Sequence, residues 1–446
     1  MSIFTQKILL ITLTFSYTNI FSSEFAQPKE IQLIDATFME GNKQVTKRAI
    51  YRKDIFEYVT GMTEPDFVQQ YKETGIMPEL PEKSKKLVQN MSHATMTLQE
   101  LRGAGQKKLS PHHHGKLSIV HVDIVKHPNL RHLIDIGALQ GAHPGAVFQT
   151  ASRPNGLEGQ QKSYLNNKHD FDATLDGFNK IMNKFAVQGE EAQISTALRG
   201  IYEIYNVAER INFFDKLNIE ISPTGNLTNI DPDFLNNNSM EYLSDLIRVD
   251  HWKNSPVTTG YANVLYQNEG IKKQQNLNGA AREKNPEDAN VLTSPAHHIS
   301  QVNVSALDVN KNRGKTQELF SKKCGENWAN TMDKVAQAAL RAAYEGTIYC
   351  ALLDNKKDLF LTLVGGGSFE NKLDWIADTL ENLQDIIKQS GLHITLVTVE
   401  INGHLQQPDN VNAWERLKNL ATNSGGTITS NGNRLRHSKK SLKSSQ

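Results

Sequence analysis

Residues 359–376, LFLTLVGGGSFENKLDWI, pass from an apolar run through Gly365, Gly366 and Gly367 into what reads as the first turn of a helix. Glycine loses more conformational freedom on folding than any other residue. Three in succession therefore call for a turn in which a side chain would clash, or for a ligand lying against the main chain. A loop between the C-terminal end of a strand and the N-terminus of a helix is where open α/β sheets place their ligands. Loop N–H groups and the positive end of the helix dipole converge there, and phosphate is the natural guest. The stretch carries neither the GK[ST] ending of a P-loop nor the GxGxxG fingerprint, so its surroundings have to decide.

On the N-terminal side, ENWANTMDKVAQAALRAAYEG (326–346) spaces its apolar residues as a helix does, with Gly346 placed as a C-cap. On the C-terminal side, KLDWIADTLENLQDIIKQSG (372–391) reads as a helix and HITLVTVEI (393–401) as a strand. Further out, KLSIVHVDIV (116–125) and GAVFQTAS (145–152) concentrate β-branched residues as strands, RPNG (153–156) reads as a turn, and order returns at ISQVNVSALDV (299–309). Helix, strand, loop, helix and strand in succession predict a layered α/β domain.

Between these elements the texture changes. FDATLDGFNKIMNKF (171–185) and STALRGIYEIYNVAERINFFDKL (195–217) repeat apolar residues at three and four, which predicts a helical insertion over about 164–250. Gln267 to about Asn290 has almost no apolar content and reads as exposed chain, and the basic end, LRHSKKSLKSSQ, reads as a disordered tail. Residues 27–110 read as an N-terminal extension without a chemical motif, and 406–446 as a C-terminal region. KILLITLTF (7–15) places one positive charge before a short apolar run. That is the shape of a secretory signal peptide, with a buried N-terminal strand as the alternative; export follows from the first and a cytoplasmic location from the second.

The 446 residues allow two or three ordinary domains, or one large domain with insertions. With 38% hydrophobic and 22% charged residues the chain has the composition of a soluble globular protein, and no other segment approaches membrane length. A net charge of +1 supplies no global field toward nucleic acid or anionic lipid, so neither is expected as a partner. Cys324 and Cys350 match no zinc or redox spacing and read as buried thiols.

The segment FLTLVGGGSFENKLDWI, following AALRAAYEGTIYCAL and preceding HITLVTVEI, resembles the C-terminal half of macro domains. GAVFQTASRPNGLE resembles the strand and loop in which those domains carry an asparagine that contacts ribose. SPVTTGYANVLY and QVNVSALDV resemble segments of a divergent, macro-like branch related to poly(ADP-ribose) glycohydrolases. The resemblance spans about 117–160 and 255–402, which makes 111–405 the expected domain. It implies a macro-like mixed α/β sheet flanked by helices, ADP-ribose as ligand or product, and removal of ADP-ribose from a modified protein with no cofactor and no metal required. Some members of that branch are bacterial effectors that act on ubiquitin, which makes ADP-ribosylated ubiquitin a candidate partner.

The resemblance also implies roles. The diphosphate lies against Gly365, Gly366, Gly367, Ser368 and Phe369; Asn155 bonds the distal ribose; Gln149, Thr150 and Ser152 line the same cleft; and Asp123 accepts the adenine amino hydrogen. Read without it, Asp123 caps a strand-end turn and Phe369 is a core residue. Glu370 must turn outward, since a carboxylate would repel a diphosphate. Hydrolysis of a glycosidic link to ribose needs a carboxylate to activate water or to stabilise oxocarbenium-like charge. Asp308, at the end of a strand, is the first candidate, Asp333 the second and Glu326 the third.

Two other classes stay open. A non-catalytic ADP-ribose reader needs the loop but no placed carboxylate. The histidines His112, His113, His114, His121, His127, His132, His143, His297 and His298 suggest a metal hydrolase, although no HExxH spacing occurs.

Overall fold

The computed structural model describes most of residues 31–156, 211–261 and 289–435. The candidate signal peptide, the helix at 171–185, residues 195–210 of the second helix, 262–288 of the polar segments, and the tail beyond 435 lie outside the described residues.

The β-branched runs assemble into a nine-stranded sheet. In chain order its strands are β1 (Ser92–Thr97), β2 (Lys116–Asp123), β3 (Val147–Ser152), β4 (Arg248–Pro256), β5 (His298–Ser305), β6 (Asp358–Thr362), β7 (His393–Glu400), β8 (Ile428–Ser430) and β9 (Asn433–Leu435). Their spatial order is β9-β8-β2-β7-β6-β3-β5-β4-β1. The six strands from β8 to β5 run parallel; β9 pairs antiparallel at one edge, and at the other β4 pairs antiparallel with β5 and β1 antiparallel with β4, so β1 points the same way as the six. The expected mixed α/β sheet flanked by helices is present. A second, antiparallel sheet joins Leu33–Glu40, Lys43–Tyr51, Ala289–Leu292 and Thr259–Tyr261.

Helices cover the main sheet: α1 (Leu98–Gly105), α2 (Met240–Leu246), α3 (Lys315–Cys324), α4 (Trp328–Leu353), α5 (Leu373–Asn382), α6 (Gln384–Ser390) and α7 (Pro408–Asn423). The alanine-rich α4 is buried along most of its length and joins the core with Val147, Val302 and Leu361 from β3, β5 and β6. Phe148 and Phe360 belong to a separate cluster with Val122, Ile299 and Val397, where their rings stack at 4.7 Å. Alternate residues of a strand face opposite sides of a sheet, so β3 feeds both layers.

Three sequence expectations change. Gly346 does not end its helix: α4 runs on to Leu353, and a Cβ at 346 would sit 2.7 Å from Val249 Cγ2 and 3.4 Å from Leu101 Cδ1. The glycine lets the helix approach β4 and α1. The helix read over 372–391 is two, α5 and α6, separated at Leu383. The expected boundaries at 110 and 405 cut through one core, since β1 and α1 on one side and α7, β8 and β9 on the other join the same sheet and its helices. Of the helical insertion expected at about 164–250, the described part from 211 on holds short helices, short strands and the start of β4. Among the described residues no helix is long and apolar enough to cross a membrane.

Candidate functional site

The three glycines after β6 have three different surroundings. Gly365 is in the left-handed region at φ +70°, and a Cβ there would meet Ala306 Cβ at 2.5 Å and Asn371 Nδ2 at 2.7 Å. Its bareness lets the loop turn and pass against the exit of β5. A Cβ on Gly366 would come within 3.2 Å of Ile376 Cδ1, whereas one on Gly367 would meet nothing within 4 Å.

Tyr344, buried on α4, fixes where the loop begins. Its hydroxyl donates to the Thr362 carbonyl at 2.8 Å and accepts the Val364 N–H at 3.0 Å. Burial pushes this phenol well above its ordinary pKa, so it stays protonated and can make both bonds. The amides of Gly366, Glu370 and Asn371 are used within the loop, on Leu363, Gly367 and Gly365 carbonyls. Among the described residues no hydrogen bond is made by the N–H of Gly365 or Gly367.

The loop after β5 lies alongside. Val309 N–H donates to the Phe369 carbonyl at 3.0 Å, and the Asn371 side chain donates to the Leu307 carbonyl at 2.8 Å. Glu370 is exposed, at φ +56°, and its carboxylate accepts the Lys311 N–H at 3.4 Å. The required outward turn of Glu370 is present. Asp308 Oδ1 accepts the Asn310 N–H at 3.2 Å, which orients the carboxylate.

A cleft of about 240 Å³ opens between these loops. Asp308 and Asn310 line it from the β5 exit, Phe369 from the glycine loop, Arg153 and Pro154 from the β3 exit, Lys315 and Thr316 from the first turn of α3, and Gly225 to Leu227 from the facing segment. The N-cap of α3 is Gly314, which has no side chain to cap the first-turn amides. That positive helix end, with Arg153 and Lys315, makes the cleft suited to an anion. Asp308 is the carboxylate among the lining residues.

Of the residues singled out from sequence, Asp308 and Phe369 are brought together in this cleft, and Phe369 also packs on the core. Asn155 is buried beside it: a Cβ on the lining residue Gly225 would meet Asn155 Oδ1 at 2.7 Å. Ser152 is buried, with its hydroxyl near the Arg153 and Val304 carbonyls. Thr150 is buried and its hydroxyl has no partner among the described residues. Ser368 lies outside the described residues.

Other candidates are committed elsewhere. Gln149 does not line the cleft; its amide donates to Ala343 O and Thr347 Oγ1 on α4 and accepts the Thr362 N–H, tying β3, β6 and α4 together. Asp333 pairs with Lys372 at 3.3 Å on the surface, and Glu326 is exposed in the turn before α4; neither lines the cleft. Asp123 accepts the Lys126 N–H at 3.0 Å and pairs with Lys126 Nζ at 3.0 Å, so it closes a strand-end turn. The strand that carries it is separated from β3 by β7 and β6.

Among the described residues no group of three or more His, Cys, Asp or Glu is placed to share a metal ion. His121 is buried against Trp414, and burial lowers its pKa to about 4. His297 meets the Gln140 carbonyl at 2.7 Å, and burial lowers its pKa also. His132 lies outside the described residues. Sequence reasoning misses Arg153, Lys315 and Tyr344. Arg153 and Tyr344 lie in stretches quoted for the resemblance but are given no role there, Lys315 lies in none, and each acquires its role only when distant segments meet.

No family model matches the chain, and no curated protein matches it. Some solved structures are similar. Poly(ADP-ribose) glycohydrolase from Thermomonospora curvata is 12% identical with a TM-score of 0.37, covering 82% of this chain and 98% of its own. The Deinococcus radiodurans enzyme in complex with ADP-ribose is 13% identical with a TM-score of 0.34, covering 77% of this chain and 99% of its own.

Proposed function

We propose that the protein binds ADP-ribose in this cleft and hydrolyses the bond joining it to a modified protein. The observation that carries the reading is the placement of Asp308 in a cation-lined cleft that Phe369, just after the triple glycine, also walls. The macro-domain resemblance of the loop and its flanks supports the same assignment, a divergent macro-like domain. The diphosphate lies between the glycine-loop main chain and the first turn of α3, where Lys315 and Arg153 balance its charge. Phe369 walls the ribose, and Asn155 supports the loop that meets the distal ribose. Asp308, oriented by the Asn310 amide, activates water or stabilises positive charge at the ribose carbon.

The chain's own residues supply this chemistry, with no cofactor or metal required. Ubiquitin is the first modified protein to assay, because some members of the branch that the sequence resembles act on it. The test is incubation with ADP-ribosylated ubiquitin and with other ADP-ribosylated proteins, with and without prior chelation. Free ADP-ribose, released with or without chelator and lost in Asp308→Ala, is the expected result. Binding of ADP-ribose without release from any substrate would instead make the protein a reader.

A further inference from the structure

The two loops that wall the cleft leave β5 and β6, which are not neighbours, since β3 lies between them. The glycine loop therefore has to reach past the end of β3 to touch the loop that carries Asp308. Four contacts accomplish this: Gly365 against Ala306, the Val309 N–H on the Phe369 carbonyl, the Lys311 N–H on the Glu370 carboxylate, and the side chain of Asn371 on the Leu307 carbonyl. Only the last is made by a side chain that also holds its own loop.

Asn371 is 4% exposed. Its Nδ2 donates to Leu307 O at 2.8 Å and lies 3.5 Å from both Gly365 O and Phe369 O. Its main-chain N–H closes the glycine loop on Gly365 O at 3.0 Å. Its Oδ1 is buried without a partner among the described residues, a cost that burial alone does not offset. The preceding Glu370 holds a left-handed conformation at φ +56° while its carboxylate reaches the Lys311 amide, so a second, weaker tie runs beside the first.

We infer that Asn371 is a positioning residue whose amide latches the glycine loop to the Asp308 loop, so that the anion-binding main chain and the carboxylate move as one body. The catalytic consequence rests on the ADP-ribose hydrolase reading; the latch does not. Such coupling matters because a displacement of about 1 Å between a bound group and a catalytic residue costs on the order of a hundredfold in rate.

Hydrogen exchange on the full chain tests the latch directly. Asn371→Asp sets a carboxylate oxygen against three carbonyls. Peptides covering 306–312 and 363–371 should then both exchange about tenfold or more faster, with α4 peptides unchanged. Acceleration of one loop alone, or of neither, overturns the inference. Where Asn371→Asp does not fold, Asn371→Ser carries the same measurement. On an ADP-ribosylated protein the folded variant should lose about 10- to 100-fold in kcat with KM altered less than about threefold. Unchanged kcat with exchange already accelerated would also overturn the positioning role. A wild-type chain that releases no ADP-ribose while its loops exchange together overturns the functional reading and leaves the latch standing. Wild-type turnover with independently exchanging loops overturns the latch alone.

Discussion

Asp123 and Asp308 sit beside the C-terminal ends of parallel strands in the same sheet, and from sequence each is a candidate for the site. Their surroundings separate them. Asp123 is folded into a turn, with one oxygen on the Lys126 amide and the other on its ammonium. Asp308 has one oxygen on a neighbouring amide and lines an open cleft with Arg153 and Lys315. A strand-end aspartate becomes a candidate for chemistry when adjacent loops leave space in front of it; otherwise it stabilises the turn that it ends.

The largest effect expected from this contrast is on turnover. Asp308→Ala should lower release of ADP-ribose by about 10²- to 10⁴-fold, the usual worth of a positioned acid or base, while the melting temperature and ADP-ribose affinity hold. Turnover within a factor of two of wild type would remove Asp308 from the chemistry.

The pole of the sheet that carries Asp123 should respond to pH through stability instead. Burial holds the folded-state pKa of His121 near 4, below the unfolded value of 6.5. The unfolded chain therefore binds the proton more readily. The stabilisation is complete above about pH 6.5 and declines as pH falls toward 4, by about 2–3 kcal/mol. Urea unfolding at pH 7 and pH 4.5 should show this loss, and His121→Gln should reduce it. An equal slope in that variant would place the pH sensitivity elsewhere.

The glycines divide in the same way, Gly365 packed against Ala306 and Asn371 and Gly367 exposed with open space around it. Gly365→Ala adds a Cβ at 2.5 Å from Ala306 in a left-handed turn and should cost about 2–3 kcal/mol in denaturant unfolding. Gly367→Ala meets nothing within 4 Å and should stay within about 0.5 kcal/mol of wild type. Similar losses in the two variants would contradict the division. Asp123→Asn, which removes an ion pair to a lysine whose side chain is 69% exposed, should cost about 1 kcal/mol or less in the same unfolding measurement.

Much of the central sheet is legible in the sequence because β2, β3, β5, β6 and β7 are dense in β-branched and apolar residues between clear turn signals. The glycine passage is legible for the same reason, with a strand before it and a periodic helix after it. The edges are not. SHATMT in β1 lacks a buried face, and ITS and NRL in β8 and β9 are too short to show a period. Gly346 carries the local mark of a helix end, but packing against Val249, far away in sequence, decides its role. Gln149 follows the alternation of its strand, yet nothing local says which face α4 covers. Asp308 is found because strand ends border clefts in α/β sheets. Arg153 and Lys315 are not, because only the juncture of the β3 exit with α3 gives them a common task.

The central claim is that the diphosphate of ADP-ribose rests on the bare main chain of the glycine loop, beside the cleft that holds Asp308. Calorimetric titration of the wild-type chain and of Gly367→Val with ADP-ribose tests it most directly. One-site binding by the wild type, weakened about tenfold or more in a variant that remains as stable, is the predicted result. No binding by the wild type at millimolar ADP-ribose, or equal affinity in the two proteins, would contradict it.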